Sequence, residues 1–201
     1  MSMRIGLFGG TFDPVHYGHL RLAEEAREHV GLERVYFVPA HLSPFRTSEK
    51  HAEGHHRLQM LHLATQDNPA FGVSEIEIER GGVSYTIDTL NAFRTQYAHA
   101  EFYLIMGLDT LAGFAHWYQV EAILQVCQLL VGIRPTHDWH ATLASLPEWV
   151  RPNLQAVPMT PLGISASDLR RRCAQGRSLR YLMPPDVIEY IHQHQLYTEP
   201  R

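Results

Sequence analysis

The segment from residue 5 to residue 20 constrains the fold more than any other part of the chain. It starts with a short apolar run, Ile5-Gly6-Leu7-Phe8, that predicts a buried strand, and it leads into residues 22–26, which are typical of a helix. Gly9 and Gly10 lie between them, where no Cβ keeps a phosphate from the backbone. A helix start adds unpaired N–H groups and the positive end of a dipole. The segment therefore predicts a nucleotide-phosphate site between a strand and a helix.

Two histidines mark the start of this predicted helix. His16 and His19 are three residues apart and share one side of the first turn, and Gly18 leaves room between them. The chain contains 14 histidines, so a single one is weak evidence and is more often solvated or buried in a core. The spacing His-x-Gly-His after a Gly-Gly strand end is far more specific. We therefore assign both histidines to the phosphate site.

The His-x-Gly-His element resembles that of the nucleotidyltransferases related in fold to class I aminoacyl-tRNA synthetases. The longer string from Gly9 to Leu20 resembles the bacterial nicotinate-nucleotide adenylyltransferases more closely. Ile164–Arg170 resembles the Ile-Ser-Ser-Thr-x-Ile-Arg signature near the C-terminus of that family. The resemblance covers nearly the whole chain, because further segments occur in the family's order: Ser84–Leu90, Gly107–Asp109, Trp117 and Arg134-Pro135.

The sequence departs from the family pattern at two positions. Phe45 stands in the loop where the family often has the histidine of Pro-Pro-His-Lys, and a phenylalanine cannot bind a phosphate. Ala166 replaces the second serine of the C-terminal signature and removes one hydroxyl.

The resemblance implies an enzyme of NAD biosynthesis that joins ATP and nicotinate mononucleotide into deamido-NAD and pyrophosphate. The acceptor phosphate would attack the α-phosphorus of ATP in line, without a covalent intermediate. Its second pKa is roughly 6, so it is largely ionised at neutral pH and needs no general base. The catalyst must instead position two anions and neutralise the charge that grows on the leaving group.

The implied site residues fall into three sets. The catalytic residues are His16, His19 and Arg170, with the histidines on the α- and β-phosphates and Arg170 and Ser167 on the β- and γ-phosphates. The ATP-binding residues are Gly9, Gly10, Thr11, Phe12, His16, His19, Gly107, Asp109, Ser165, Ser167 and Arg170. The residues that bind the nicotinate nucleotide are Thr11, Arg46, Tyr85, Thr86, Trp117, Tyr118 and Arg134.

Sequence spacing alone also allows structural roles for several of these residues. Asp109 could accept hydrogen bonds from ribose hydroxyls or cap a helix, and Trp117 could be a core aromatic instead of stacking on a pyridine ring. Ser165 or Ser167 could be a helix N-cap, with the Arg170-Arg171-Arg172 run in solvent. The resemblance favours the binding roles and leaves Arg171 and Arg172 facing solvent.

Strand-like and helix-like segments alternate along the chain. The strands are expected at residues 4–8, 34–39, 71–79, 101–106 and 126–133, and the helices at 18–30, 55–66, 84–97 (capped by Ser84), 120–125, from 166, and 185–194. Residues 136–152 are expected to form an irregular surface excursion. The pattern predicts an α/β, Rossmann-like, doubly wound parallel sheet with helices on both faces. We expect one nucleotidyltransferase domain over residues 1–201, of which 163–201 form a small helical part, and ligands beyond the carboxyl ends of the strands.

Composition excludes several classes of function. A formal net charge of −4 argues against a general nucleic-acid binder, and no apolar run reaches the ~18 residues of a membrane span. With no evident signal peptide, the cytoplasm is the default location. His41, His51, His55 and His56 lack a cysteine or acid at diagnostic spacing, so no protein-bound metal is expected. Mg²⁺ should arrive with ATP, held by phosphate oxygens and water. The sequence leaves the oligomeric state open.

Two alternatives remain at this stage. One is an adenylyltransferase with another acceptor, such as nicotinamide mononucleotide or pantetheine phosphate. The other is a nucleotide-binding sensor that has lost catalysis. Ser84–Leu90 and Trp117 favour a pyridine nucleotide, and the retention of His16, His19 and Arg170 favours an enzyme.

Overall fold

Strands and helices alternate along almost the whole chain in the computed structural model, which describes residues 2–44, 51–133 and 138–199. The strands are β1 (Arg4–Gly10), β2 (Arg34–Pro39), β3 (Phe71–Val73), β4 (Glu101–Gly107), β5 (Cys127–Ile133) and β6 (Leu154–Pro158). The α-helices are α1 (Tyr17–Val30), α2 (Gly54–Thr65), α3 (Ile76–Arg80), α4 (Thr86–Gln96), α5 (Leu108–Leu111), α6 (Val120–Val126), α7 (Trp139–Ser145), α8 (Ala166–Ala174) and α9 (Pro185–Gln193). Short 3₁₀ helices cover Phe114–His116 and Arg151–Asn153.

All six strands are parallel and form one sheet in the order β3-β2-β1-β4-β5-β6. The chain moves outward from β1 to β3 and then returns to the other side of β1, so the strand order switches between β1 and β4. In register, Phe8 of β1 lies beside Phe37 of β2 on one side and Ile105 of β4 on the other. The predicted Rossmann-like, doubly wound sheet is confirmed. In such sheets the crevice at the switch point is where ligands bind.

The strands bury both faces, and successive residues separate into two cores. Phe8, Phe37 and Ile105 point to the layer that contains α1, α2, α8 and α9. Their neighbours Leu7 and Leu104 point to the opposite layer, which contains α4 and α6. This alternation follows the two-residue period of a strand. Because both faces are covered, the central parts of β1, β2, β4 and β5 are mostly apolar, as is typical of buried parallel strands.

The C-terminal helices share the first of these cores. Leu169 of α8 and Val187 and Ile191 of α9 are buried with Met60 and Leu61 of α2. The C-terminal part is therefore held against the helix that crosses from β2 to β3. That the whole chain is one domain stays a prediction. None of the helices among the described residues is both long and apolar enough to cross a membrane.

The expected strand at residues 71–79 is wrong in its second half. The chain leaves the sheet after Val73 and turns into the helix α3 at Ile76. The reason is a buried carboxylate: Glu77 accepts a hydrogen bond from the hydroxyl of Thr89 on α4 at 2.5 Å. A helical turn directs Glu77 to that partner, which an extended edge strand would have left in solvent.

Residues 136–152, predicted to be irregular, contain the helix α7, and a further strand follows them. Asp138 caps α7 by accepting the backbone N–H of Ala141 at 3.0 Å. The edge strand β6, which the sequence analysis did not predict, pairs with β5 so that Val131 lies beside Ala156. Val157 is buried, residues 154–156 are partly buried and Pro158 is exposed, so the apolar pattern of β6 is weak.

Phe37 tests the first core. Its side chain is fully buried at the centre of the sheet, so Phe37→Ala should lower the free energy of unfolding by about 3–5 kcal/mol. Tyr181 is 90% exposed, and Tyr181→Ala should change the free energy of unfolding by no more than about 0.5 kcal/mol. Urea denaturation followed by circular dichroism measures both values. Equal losses in the two variants would contradict the assignment of Phe37 to the core.

Candidate active site

A cavity of about 490 Å³ opens at the carboxyl ends of β1, β2 and β4, at the switch point of the sheet. Eight of the residues predicted from sequence contribute to its wall: Gly9, Gly10, Thr11, Tyr85, Thr86, Asp109, Trp117 and Tyr118. These residues come from four separate segments of the chain, and the fold brings them to one crevice.

His16 and His19 lie together where the loop after β1 enters α1. His16 occupies the N-cap position, and the two imidazole rings stack with their centroids 3.7 Å apart. A Cβ on Gly18 would lie 3.0 Å from Cε1 and Nδ1 of the His16 ring. A larger residue at this position would therefore have to displace the His16 ring by a few tenths of an ångström, which agrees with the room that Gly18 was predicted to leave.

The hydrogen bonding of His19 determines which of its nitrogens can donate. Its Nδ1 accepts the backbone N–H of His16 at 3.3 Å, so a neutral His19 carries its proton on Nε2. Burial, and secondarily the neighbouring His16, hold the pKa of His19 well below its usual value. The ring is therefore neutral at physiological pH and presents Nε2–H as a donor.

Phe12 supports the histidines from below. Its side chain is buried and packs edge-on against Phe8 and against His19, with ring centroids 5.3 and 5.1 Å away. Because the side chain is buried, any contact of Phe12 with a ligand would be through its backbone. Its φ of +50° lies in the left-handed region, so packing holds this residue in an uncommon conformation.

Arg170 reaches the same loop from α8. Its Nη1 donates to the backbone carbonyl of Asp13 at 2.7 Å, and its Nη2 donates to Oγ of Ser167 at 3.4 Å. Ser165 is the N-cap of α8, because its hydroxyl accepts the backbone N–H of Asp168. Of the two serines predicted as possible caps, Ser167 therefore does not take this role. Ser165 and Ser167 thus lie at the start of α8, and Arg170, one turn further on, is joined to the phosphate loop.

The neighbouring arginines differ from Arg170. Arg171 and Arg172 both pair with Asp168 of their own helix. The side chain of Arg171 is 64% exposed, as expected for a solvent-facing residue. That of Arg172 is only 28% exposed, so its predicted position in solvent is wrong. Its ion pair with Asp168 holds the side chain along its own helix.

The start of α4 forms the opposite wall of the cavity. The helix begins at Thr86, and Tyr85 rather than Ser84 takes the N-cap position, so the predicted cap is wrong. Ser84 is buried and its Oγ instead accepts the backbone N–H of His41 at 2.9 Å. Within the described residues, the side chain of Tyr85 makes no capping hydrogen bond. The helix start therefore faces the cavity with N–H groups available to an anion.

Aromatic side chains line this end of the cavity. The Tyr85 and Tyr118 rings lie 4.6 Å apart, and Trp117 packs on Phe114 at 5.1 Å. Phe114 is fully buried, whereas Trp117 is only partly covered and contributes to the cavity wall. Trp117 therefore packs on the buried core through Phe114 and also contributes to the cavity wall.

Asp109 follows β4 at the same edge of the sheet. Gly107 occupies the N-cap position of α5, so the alternative that Asp109 caps this helix is wrong. The Asp109 side chain is exposed and lines the cavity. Arg46 and Arg134, predicted to bind the acceptor, lie outside the described residues, as does Phe45.

Sequence reasoning missed a buried arginine beneath the phosphate loop. Arg57 of α2 is 3% exposed, and its Nη1 donates to the carbonyls of Thr11 at 3.0 Å and Ala40 at 2.7 Å. Its Nε donates to the carbonyl of Ala52 at 2.9 Å. Burial lowers the pKa of Arg57. The sequence feature that could have indicated this role is the position of Arg57 directly beside the apolar residues of the helix predicted at 55–66.

Glu77 was missed as well, because its segment was expected to be an exposed strand. Its carboxylate is buried in the cavity wall, where it holds Thr89, and burial raises its pKa. Its hydrogen bond with Thr89 thereby connects α3 to α4 at the cavity wall.

The four histidines at positions 41, 51, 55 and 56, considered above as metal ligands, contact different parts of the protein. His41 Nδ1 lies 3.0 Å from the carbonyl of Gly82, and His51 Nδ1 lies 3.1 Å from Oδ2 of Asp13. His55 packs against His56, whose Nδ1 lies 2.8 Å from the Tyr190 hydroxyl. In the part of the chain that the structure describes, no three His, Cys, Asp or Glu side chains are grouped to hold a metal ion.

Comparison with known proteins identifies the family of this chain. Residues 7–172 match the model of the cytidylyltransferase-like family. A relative from Pelobacter propionicus, named "Probable nicotinate-nucleotide adenylyltransferase", is 41% identical over 98% of this chain and 99% of its own. A relative of the same name from Herpetosiphon aurantiacus is also 41% identical, over 96% of this chain and 98% of its own.

Solved structures show the same fold at lower identity. The nicotinic acid mononucleotide adenylyltransferase of Plasmodium falciparum, solved in complex with NaAD, superposes with a TM-score of 0.80 at 19% identity, covering 98% of both chains. Its complex with APC gives a TM-score of 0.78 over the same share of each chain. The family match and the near full-length relatives together show that this chain belongs to the cytidylyltransferase-like family and to the nicotinate-nucleotide adenylyltransferases.

Proposed function

We propose that the protein transfers the adenylyl group of MgATP to nicotinate mononucleotide, giving deamido-NAD and pyrophosphate, as a step of NAD biosynthesis in the cytoplasm. The observation that carries the proposal is the single cavity that joins the Gly9–Thr11 loop to Trp117 and the open start of α4. One end suits a nucleotide phosphate and the other suits an aromatic ring with a negative charge. The relatives at 41% identity carry the name of this activity.

ATP would lie along the loop after β1. The backbone of residues 10–12 and the start of α1 would receive its phosphates, because both offer N–H groups to an anion. His19 would donate from Nε2 to an oxygen of the α- or β-phosphate, since its Nδ1 is already engaged by His16. Arg170 would contact the β- and γ-phosphates from α8, and Asp109 would accept from the ribose hydroxyls. Mg²⁺ would enter as part of the substrate.

The reaction is one displacement at phosphorus. A phosphate oxygen of nicotinate mononucleotide bonds to the α-phosphorus while the bond from that phosphorus to the bridging α–β oxygen breaks. The bond's electron pair leaves with pyrophosphate, and the acceptor oxygen brings no proton that a base must remove. The protein's contribution is to align two anions and stabilise the leaving group with fixed donors. A neutral His19 serves this role because it can donate without losing its own proton.

The acceptor ring would stack on Trp117, with its carboxylate at the start of α4 near Thr86. Unpaired N–H groups at a helix start suit a carboxylate, whose oxygens only accept. An amide in the same place would turn its NH₂ toward one of those donors. The site is therefore expected to prefer the acid over the amide.

The histidines provide the first test. His16→Ala and His19→Ala should each reduce kcat/KM by about 10²–10³-fold, because each would remove a preorganised group at the reacting phosphates. His29→Ala is the control, since His29 is an exposed residue in the last turn of the same helix. Pyrophosphate release under steady-state conditions measures all three. Rates near that of the wild type for the folded His16 and His19 variants would contradict their assignment.

Arg170 provides the second test. Arg170→Ala should raise the KM for ATP and lower kcat, because a charge-assisted contact to the leaving pyrophosphate is lost. Arg171→Ala should do much less, since that side chain is exposed and pairs with Asp168. Initial rates at varied ATP and saturating acceptor separate the two constants. A larger effect at Arg171 would show that a different face of α8 contacts the phosphates and would contradict the assignment of Arg170.

Acceptor choice tests the function itself. With ATP and a panel of nicotinate mononucleotide, nicotinamide mononucleotide and pantetheine phosphate, we expect the first to react best. The amide should lose about one to two powers of ten in kcat/KM, because a buried donor left unpaired costs about 1–3 kcal/mol. Trp117→Ala should weaken both pyridine nucleotides and leave their ratio unchanged, whereas Trp149→Ala, at an exposed tryptophan outside the cavity wall, should alter neither.

The other outcomes of that panel are informative. Equal use of acid and amide would indicate a broader pyridine-nucleotide adenylyltransferase, and preference for pantetheine phosphate would reject a pyridine acceptor. No pyrophosphate release with any acceptor, despite ATP binding, would indicate a sensor instead of an enzyme.

A further inference from the structure

A buried carboxylate connects the phosphate loop with the end of the chain. Asp13 lies between β1 and α1 and is 1% exposed. Its Oδ1 accepts the hydroxyl of Tyr197 at 2.5 Å and the backbone N–H of Ala52 at 3.2 Å. Its Oδ2 lies 3.1 Å from Nδ1 of His51 and 3.9 Å from Nη1 of Arg170. A buried carboxylate needs such partners, so this network determines where the loop lies.

Tyr197 reaches Asp13 from 184 residues away in sequence. It follows α9, its side chain is 4% exposed, and it belongs to the core that contains α1 and α2. Its φ of +60° is uncommon for a residue with a large side chain. The backbone turn, the buried ring and the hydroxyl together direct one hydrogen bond to the loop that carries the active-site motif.

Asp13 in turn holds Arg170. The backbone carbonyl of Asp13 accepts Nη1 of Arg170 at 2.7 Å, and Oγ of Ser167 accepts Nη2 at 3.4 Å. The guanidinium is thereby fixed between the phosphate loop and the start of α8. Because the Asp13 peptide cannot shift without disturbing its buried carboxylate, the Tyr197 hydroxyl can influence Arg170 without touching it.

We propose that Asp13 and Tyr197 are positioning residues for Arg170, through which the C-terminal turn completes the triphosphate end of the active site. The inference rests on the proposed function and extends it, since it concerns residues that would touch neither substrate. Preorganising Arg170 would matter for ATP and its leaving pyrophosphate. The nicotinate end, near Trp117 and α4, would not depend on it.

Tyr197→Phe tests the proposal, because it removes the hydroxyl and keeps the ring. We expect the KM for ATP to rise about 10-fold, because a displaced Arg170 would lose part of its charge-assisted contact with the triphosphate, with the KM for nicotinate mononucleotide unchanged. Tyr190→Phe is the matched control. It removes a hydroxyl that joins α9 to His56 of α2 at 2.8 Å without contacting Asp13, so the KM for ATP should stay at the wild-type value.

A double-mutant cycle separates positioning from loosening of the C-terminus. If Tyr197 acts through Arg170, Tyr197→Phe should have little further effect on ATP in an Arg170→Ala background. Additive effects, equal changes in both KM values, or the same loss in Tyr190→Phe would overturn the proposal. Asp13→Asn, which keeps the shape and weakens the hydrogen bond from Tyr197, should repeat the ATP-specific change and serves if Tyr197→Phe does not fold.

Calorimetric titration of the same variants with ATP separates this inference from the proposed function. If the wild type forms no deamido-NAD, the proposed function fails, yet the ATP affinities of wild type, Tyr197→Phe and Tyr190→Phe still decide the role of Tyr197. If the wild type is active and Tyr197→Phe matches it in ATP affinity and KM, the positioning role alone is rejected.

Discussion

The hydrogen bonding of a parallel sheet is the constraint on which this structure depends. Parallel neighbours need a crossover between them, and the crossovers cover both faces of the sheet with helices. All six strands therefore end at the same edge. There the chain must turn from each strand into the next segment, so Gly9-Gly10, Ala40 and Asp109 meet although they are far apart in sequence. The cavity is a consequence of this topology before any side chain is considered.

Sequence reasoning succeeded where local patterns and topology agree. The apolar strand before Gly9, the glycine pair and the His-x-Gly-His spacing each predict the same turn, and the structure has β1, the loop and α1 there. The C-terminal motif was identified by its resemblance to a family, and Ser165 and Arg170 lie at the start of α8. The fold class and eight residues of the cavity wall could thus be predicted.

The rest depends on pairings that no local pattern contains. Glu77 lies in a helix because its partner Thr89 is on α4, so an alternation of apolar and acidic residues was mistaken for a strand. Serine is a common N-cap residue, but the hydroxyl of Ser84 instead accepts the backbone N–H of His41. The contact of Tyr197 with Asp13 joins the two ends of the chain, and only the folded molecule brings them together.

The two edges of the sheet have a consequence for self-association. At one edge β3 has only three residues, and at the other β6 ends at Pro158, which has no backbone N–H to offer a neighbour. Short or proline-terminated edges are poor templates for an added strand. A second copy of the chain could not extend this sheet by many hydrogen bonds. Both edges therefore disfavour assembly by strand addition, and the side chains of the helical layers offer the more suitable surface for a second copy.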